Sequence, residues 1–188
     1  MSINASQRLA KNQEATETFV RQEFPNEKFV SQTSKLQAAN KWTETLVLPK
    51  NVKLAESRIP INKEQRNILK KELLQASILS KMGNSIYLTP EKGEYRKRTI
   101  DAVVNGLPYE FRTIFGNAKT LEWEFARAKE KGKDVNVFIR IESLITKYEV
   151  RRRIGMVLER HPDYTGKIIV SFKGGRTYFW DTKGFRIE

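Results

Sequence analysis

The chain has 188 residues, of which 39% are hydrophobic and 30% charged, a balance that excludes a largely disordered protein. It contains no cysteine, which excludes disulfides and thiolate metal sites. Its net charge of +13 favours a polyanionic partner, with nucleic acid first, an acidic protein second and general solubility as the alternative.

Membrane insertion is not expected. No apolar run approaches the roughly 20 residues of a membrane-spanning helix, and the N-terminal sequence lacks the apolar region of a signal peptide. The positive charge is concentrated in residues 61–188, which carry 26 Lys and Arg against 16 Asp and Glu, whereas residues 1–60 carry nine against six.

The first 60 residues predict a helical arm and a linker. Residues 5–24 have the composition of a helix, which should end before Pro25. Residues 45–62 contain two prolines between short apolar runs, which indicates a linker or an edge segment. We therefore divide the chain near Pro60 into an N-terminal arm, residues 1–60, and an α/β domain, residues 61–188.

The second part shows clearer periodicity. "NKEQRNILKKELLQASILSKMG" predicts a long amphipathic helix that begins at Asn62 and ends at Gly83. It is followed by the strand "SIYLT", a hairpin of "TIDAVV" and "PYEFRTI" around "NGL", and a helix in "AKTLEWEFARAKEKG". The strand "VNVFIRI", a helix in "TKYEVRRRIGMVLERHP" and the strands "GKIIVSF" and "RTYFW" complete the order. The prediction is a mixed central sheet with flanking helices and an αβββαβ core.

The predicted hairpin concentrates charge. Asp101 ends its first strand, while Glu110 and Arg112 alternate on its second strand. Alternation places Glu110 and Arg112 on one face and turns Phe111 towards the core. Because a hairpin pairs its strands residue by residue, we expect Asp101 to lie opposite Glu110.

Two carboxylates so close repel each other unless a cation lies between them. Their oxygen atoms suit Mg²⁺ or Mn²⁺, so Asp101 and Glu110 are the predicted metal ligands. Such a metal activates water and neutralises charge on a phosphate. The alternative interpretation is a solvated hairpin with ordinary surface charges.

The order αβββαβ, with Asp101 on one strand and "EFR" at 110–112 on the next, resembles the PD-(D/E)xK nuclease superfamily. The resemblance implies metal-assisted phosphodiester cleavage, with Asp101, Glu110 and Arg112 as catalytic residues. The family has lysine where this chain has Arg112. Arginine cannot exchange a proton at neutral pH but can clamp a phosphate.

Residues 65–180, with "GNSIYL", "DAVVNGLPYEF", "ARAK" and "VNVFIRI", also resemble the C-terminal nuclease domains of contact-dependent growth inhibition toxins. They are similar as well to phage and mobile-element nucleases of the barnase/EndoU/colicin/RelE-like group. This resemblance implies an endoribonuclease that acts on RNA, tRNA first, in the cytoplasm of a cell into which it is delivered. It also implies a cognate immunity or host protein as partner.

Three functions stay open. They are a metal-assisted nuclease, a metal-independent ribonuclease and a non-catalytic binding protein that blocks a host system. The metal-independent enzyme could use His161, the single histidine, although a helix end explains that residue well. Glu72 could face the site, although a solvated helix charge is the more common case.

Several basic residues could bind the nucleic-acid backbone. "YRKR" precedes Asp101, "GNAKT" opens a helix whose free N–H groups could bind phosphate, and "RRR" lies on a later helix. "KGGRTYFW" places cations beside aromatic residues, although Tyr178 and Trp180 suit the core at least as well. The predicted nucleic-acid contacts are Arg96, Lys97, Arg98, Lys119, Arg152, Lys173 and Arg176.

Overall fold

The computed structural model of the chain describes residues 4–31, 47–60, 62–91, 99–174, 176–181 and 184–187, the side chains of 181 and 184–187 excepted. It divides into two compact units, Met1–Leu107 and Pro108–Glu188. The fold is mixed α/β, as the sequence predicts, and the elements from α2 (Lys63–Lys81) onward follow the predicted order αβββαβ. The predicted division near residue 60 stays a prediction. Among the described residues, no helix has the length and apolar character to cross a membrane.

In the part of the first unit that the structure describes, two long helices combine with four short strands. Its elements are α1 (Ala5–Glu23), β1 (Phe29–Val30), β2 (Val52–Ala55), a 3₁₀ turn (Glu56–Arg58), α2 (Lys63–Lys81), β3 (Ile86–Leu88) and β4 (Ala102–Val104). The strands lie in that order: β1 is antiparallel to β2, β2 parallel to β3, and β3 antiparallel to β4.

Strand β2 corrects the interpretation of residues 45–62 as a linker or edge. Val52, Leu54 and Ala55 are at most 1% exposed, and the strand pairs on both sides, with β1 and with β3. The prolines at positions 49 and 60 stand outside the strand, where they remove no N–H from its hydrogen bonds. The two prolines therefore mark the ends of the segment that contains β2, and β2 itself is paired on both sides.

Helix α1 is packed into the first unit. Asn4 caps it: the side chain of Asn4 accepts from the N–H of Gln7, and that of Gln7 accepts from the N–H of Asn4. The helix ends at Glu23, just before Pro25, as predicted. Val20 joins a buried cluster with Tyr87 of β3 and Val103 of β4. The predicted arm thus contributes apolar core to this unit.

The "NG" turn after β4 adopts the conformation that its sequence predicts. Asn105 has φ 52° and Gly106 φ 80°, the left-handed values that a type I′ turn requires. The turn also contacts α1, because the N–H of Gly106 donates to Thr16 Oγ1 over 3.1 Å. A Cβ at position 106 would stand 3.0 Å from the carbonyl oxygen of Ala15, so glycine is required twice over.

The second unit alternates strands and helices before it ends in antiparallel strands. Its elements are β5 (Leu107–Ile114), α3 (Ala118–Lys129), β6 (Asn136–Ile141), α4 (Lys147–Arg160), β7 (Ile168–Phe172), β8 (Thr177–Asp181) and β9 (Gly184–Ile187). Strands β5, β6 and β7 are parallel neighbours, and β8 and β9 follow antiparallel. The sequence did not predict β9.

One large apolar cluster holds the second unit together. Leu121 and Phe125 of α3, Ile154 of α4 and Ile139 of β6 all belong to it and are at most 1% exposed. Tyr164 completes the layer: its ring meets that of Phe125 edge to face at 4.8 Å, and its hydroxyl donates to the carbonyl of Val135 over 2.8 Å. Each of the two helices therefore presents one apolar stripe to the sheet.

We expect Phe125→Ala to lower the free energy of unfolding by about 3–5 kcal/mol, because it leaves a cavity among fully buried side chains. Phe125→Leu should cost less, since more of the volume is kept. Tyr148→Ala, at a residue 76% exposed on α4, is the control and should change stability by about 0.5 kcal/mol or less. Urea denaturation checks the order, and similar losses for Phe125→Ala and Tyr148→Ala would contradict the proposed core.

Candidate active site

Among the charged residues that the structure describes as buried, Glu110 on β5 has the lowest exposure. Its side chain is 0% exposed, and the strand runs beside β6 with Glu110 in register with Val137. A carboxylate removed from water in this way is strongly destabilising unless charges and hydrogen bonds compensate it. The structure supplies that compensation through two cations.

Arg112 and Lys131 both pair with Glu110. The guanidinium of Arg112 forms an ion pair with Glu110 Oε1, and Lys131 Nζ lies 2.6 Å from the same oxygen. Glu124 of α3 balances the group, with its Oε2 3.3 Å from Arg112 Nε. Two carboxylates and two cations therefore form one network, which we call the Glu110 network.

The alternation predicted for β5 is confirmed. Glu110 and Arg112 share a face and pair with each other. Phe111 is 4% exposed and meets Phe138 edge to face, with ring centroids 5.7 Å apart. The strand thus fixes the acid and the guanidinium through apolar packing on its opposite side.

Lys131 was missed by the sequence analysis. It lies in the turn that follows α3, where its N–H donates to the carbonyl of Ala128 over 3.0 Å. Lysines occupy positions 129, 131 and 133, and their spacing alone does not indicate which one turns inward. Helix α3 has already ended at Lys129, with Glu130 as its C-cap, so the sequence carried no local signal for the inward direction of Lys131. Lys131 places a second cation beside Glu110, where the sequence analysis had identified only the guanidinium of Arg112.

Asp101 is surrounded by a second group of charges, within the first unit. Arg58, whose side chain is 2% exposed, forms an ion pair with Glu72 of α2, and its Nη1 donates to the carbonyl of Asp101 over 3.3 Å. Glu91 Oε1 lies 3.7 Å from Arg58 Nη2. The group therefore places the carboxylates of Glu72 and Glu91 and the backbone carbonyl of Asp101 beside one buried guanidinium.

Glu72 is the carboxyl most perturbed by this surrounding. The pKa of Glu72 is raised from 4.5 to about 7, chiefly by burial and in addition by the charges of Asp101 and Glu91, against the opposing effect of Arg58. Its side chain is only 13% exposed, so the interpretation as a solvated helix charge is wrong. A titratable acid poised near neutral pH beside a second acid is typical of functional sites, although ion-pair networks also produce it.

Asp101 and Glu110 belong to different compact units, and each is described within its own unit. Their joint binding of one cation stays a prediction. In the part of the chain that the structure describes, no cluster of three His, Cys, Asp or Glu residues could hold a metal.

The predicted nucleic-acid contacts fall into two groups. Arg96, Lys97 and Arg98 lie outside the described residues. The other four are exposed, on α3, on α4 and on either side of the turn between β7 and β8: Lys119, Arg152, Lys173 and Arg176. Tyr178 and Trp180 are 4% and 5% exposed within the core of the second unit, which confirms the packing interpretation. Nucleic-acid binding by these cations stays a prediction.

His161 occupies the end of α4. Its N–H donates to the carbonyls of Val157 and Leu158, its ring packs against Phe125 with centroids 5.8 Å apart, and its Nδ1 lies 3.1 Å from Lys129 Nζ. Lys129 also binds Asp163 over 2.7 Å. These contacts favour a role at the helix end over catalysis.

Comparison with known proteins gives a fold relationship. No family model matches the chain, and no curated protein matches it. It is similar to a chain in the solved "CdiA-CT/CdiI toxin and immunity complex from Burkholderia pseudomallei", with a TM-score of 0.50 and 18% identity over 64% of this chain and 89% of that chain. This similarity shows a shared α/β fold.

We expect Glu110→Gln to lower the free energy of unfolding by about 3–5 kcal/mol, because it removes the buried carboxylate that Arg112 and Lys131 share. Lys131→Met should cost less, since Arg112 still pairs with the carboxylate. Lys133→Met, at an exposed lysine two residues away, is the matched control and should have almost no effect. Urea denaturation measures all three variants, and a larger loss for Lys131→Met than for Glu110→Gln would contradict the arrangement.

A second prediction concerns pH and Glu72. Because the folded-state pKa of about 7 exceeds the usual 4.5, the folded state binds more protons between these values. Its stability should therefore fall as pH rises through that window. Relative to Glu72→Gln, the wild type should lose up to about 3 kcal/mol between pH 5 and pH 8. Glu64→Gln, at an exposed acid on the same helix, should keep the wild-type pH dependence. Parallel curves for the wild type and Glu72→Gln would contradict the raised pKa.

Proposed function

We propose that the chain is an endoribonuclease of the toxin type that cleaves phosphodiesters with the help of a divalent metal ion, with tRNA as its first candidate substrate. The single observation that carries the proposal is the contact of 2.6 Å between Lys131 Nζ and the fully buried carboxylate of Glu110. Burying an acid, an amine and a guanidinium together opposes stability unless the geometry compensates for it. Such arrangements occur where a site needs charged groups in fixed positions.

The residues would divide the work by their chemistry. Lys131 can give or take a proton, which Arg112 cannot do. Arg112 presents a planar fork of N–H groups that suits phosphate oxygens. We assign metal binding to Asp101 and Glu110, as the sequence predicts. Bound Mg²⁺ supplies an activated water and neutralises charge on the phosphate.

The fold relationship supports the biological setting. The similar structure is that of a toxin and immunity complex, which is consistent with a toxin that has a cognate immunity protein and is delivered from another cell to act in the cytoplasm of its target. The net charge of +13 supports RNA as the target of such a protein and would draw it towards a polyanion.

A second candidate is a binding protein of the same fold that does not cleave. The ion pairs of Glu110 with Arg112 and Lys131, and of Arg112 with Glu124, are also what a purely structural group of charges would show. The metal-independent ribonuclease has less support, because His161 already contacts Lys129 and Phe125 at a helix end.

The test is a cleavage assay on total tRNA with Mg²⁺ or with EDTA. We expect the wild type to cleave only with Mg²⁺, and Asp101→Asn and Lys131→Met to lose about 100-fold or more in rate, the usual scale for a lost acid–base group. The matched controls are Lys133→Met and Glu159→Gln, two exposed positions, which should keep full activity.

Each outcome separates the candidates. Cleavage that survives EDTA and Asp101→Asn would replace the metal enzyme with the metal-independent one. Intact RNA under every condition, with binding that weakens steeply as salt rises, would favour the non-catalytic binder. Full activity of Lys131→Met would remove Lys131 from the mechanism even if the other variants behave as expected.

A further inference from the structure

Helix α3 carries an exposed stripe of two cations and an indole. Lys119, Trp123 and Arg127 are four residues apart in turn, so they lie on one face of the helix. All three are exposed, and Trp123 is 60% exposed. We call these residues the α3 stripe. Tryptophan is highly buried on average, so a ring this open requires an explanation.

The indole of Trp123 is held by its neighbour. The guanidinium carbon of Arg127 lies 4.7 Å from the ring centroid, which is the geometry of a cation–π contact. This contact occupies one face of the ring and limits its rotation, yet most of the side chain still faces solvent. The result is a flat, oriented aromatic surface next to positive charge.

The stripe is not a consequence of packing in the second unit. The opposite side of α3 places Leu121, Phe125 and Ala128 in the core at 0% exposure, and Glu124 reaches Arg112. The helix is therefore anchored without any contribution from Trp123. The same rigid element supplies Glu124 to the Glu110 network and presents the indole to solvent.

We propose that the α3 stripe binds single-stranded RNA, with an unpaired base stacked on Trp123 and with Lys119 and Arg127 contacting phosphates on either side of it. The helix rise of about 1.5 Å per residue separates these two positions by about 12 Å along the axis, which suits two phosphates better than one. Aromatic platforms beside cations bind single strands because every base has a face that stacks. This inference rests on the proposed function, since it identifies the region of the substrate that the enzyme engages.

The charge of the stripe favours RNA over a protein partner of mixed charge. Tryptophan and arginine are also frequent in protein interfaces, so an acidic protein is the competing occupant. Both ionisable members of the stripe are cations, and the whole chain carries +13, which gives a strand of phosphates attraction along its length.

The experiment measures binding without cleavage. The probe is a labelled single-stranded 2′-O-methyl oligonucleotide of about ten nucleotides, within the usual site size of such surfaces, in EDTA. We expect Trp123→Ala to weaken its binding about 5- to 150-fold, the range found for loss of one stacked base. Trp123→Phe should recover most of the affinity. The same strand annealed into a duplex should bind wild type and Trp123→Ala equally, because its bases are already stacked.

The matched control is Leu74→Ala on α2. Leu74 is an exposed apolar residue one helical turn from a lysine, Lys70, but its side chain has no aromatic ring on which a base could stack. The affinity of this variant for the probe should equal that of the wild type. Lys119→Gln and Arg127→Gln should each reduce the slope of affinity against salt by about one, as expected for one lost phosphate contact. Thermal unfolding followed by circular dichroism verifies that every variant is folded.

Equal binding of the single strand by the wild type and by folded Trp123→Ala would overturn the proposal. The proposal would also be overturned if Trp123→Ala bound polyglutamate more weakly than the wild type but bound the probe equally well. That result would identify an acidic protein as the partner. The tRNA cleavage assay is independent of this readout. If the wild type cleaves tRNA and Trp123→Ala binds the probe as well as the wild type does, only the proposed role of the α3 stripe is rejected. If Trp123→Ala binds the probe more weakly but the wild type does not cleave tRNA, only the proposed nuclease activity is rejected.

Discussion

The neutralisation of the buried Glu110 carboxylate is the interaction on which the candidate site depends. A carboxylate with no exposed surface is tolerable only with partners on several sides, and here they come from its own strand and from the turn after α3. Strand β5 and the end of α3 are thereby tied together by charge as well as by the apolar core. Any change in one member of the Glu110 network alters the electrostatic environment of the others.

Function and stability are coupled in this arrangement. Lys131 and Arg112 hold Glu110 at the expense of their own hydration, and Glu124 limits the remaining positive charge. A phosphate or a cation that enters the network would compete with pairs that already exist. An active enzyme would then show rearranged ion pairs on binding its substrate, whereas a structural network would resist the exchange.

The sequence predicted most of the elements because their signals were local. The helix ends at Pro25 and Pro162 and the "NG" turn follow from residue types that constrain the backbone wherever they occur. The face shared by Glu110 and Arg112 followed from strand alternation alone. In contrast, β2 was hidden by its flanking prolines, and β9 is four residues long without a continuous apolar pattern.

The site was harder to predict than the fold because its members come from distant positions. Nothing local separates Lys131 from Lys129 and Lys133, and the burial of Glu72 depends on Arg58, which arrives from a short 3₁₀ turn. Side chains of this kind are selected by tertiary packing, which periodicity does not report. Lys131 was missed for this reason, and Glu72 was considered for the site although its burial was not expected.

The contact between helix α1 and the glycine turn has a consequence for how the protein can be shortened. A chain that began after residue 24 would lose Thr16, the acceptor for the N–H of Gly106, and would uncover Tyr87 and Val103. Helix α1 is therefore part of the packed core of the first unit. Fragments intended for expression should retain α1, because its removal would expose the apolar surface that includes Tyr87 and Val103.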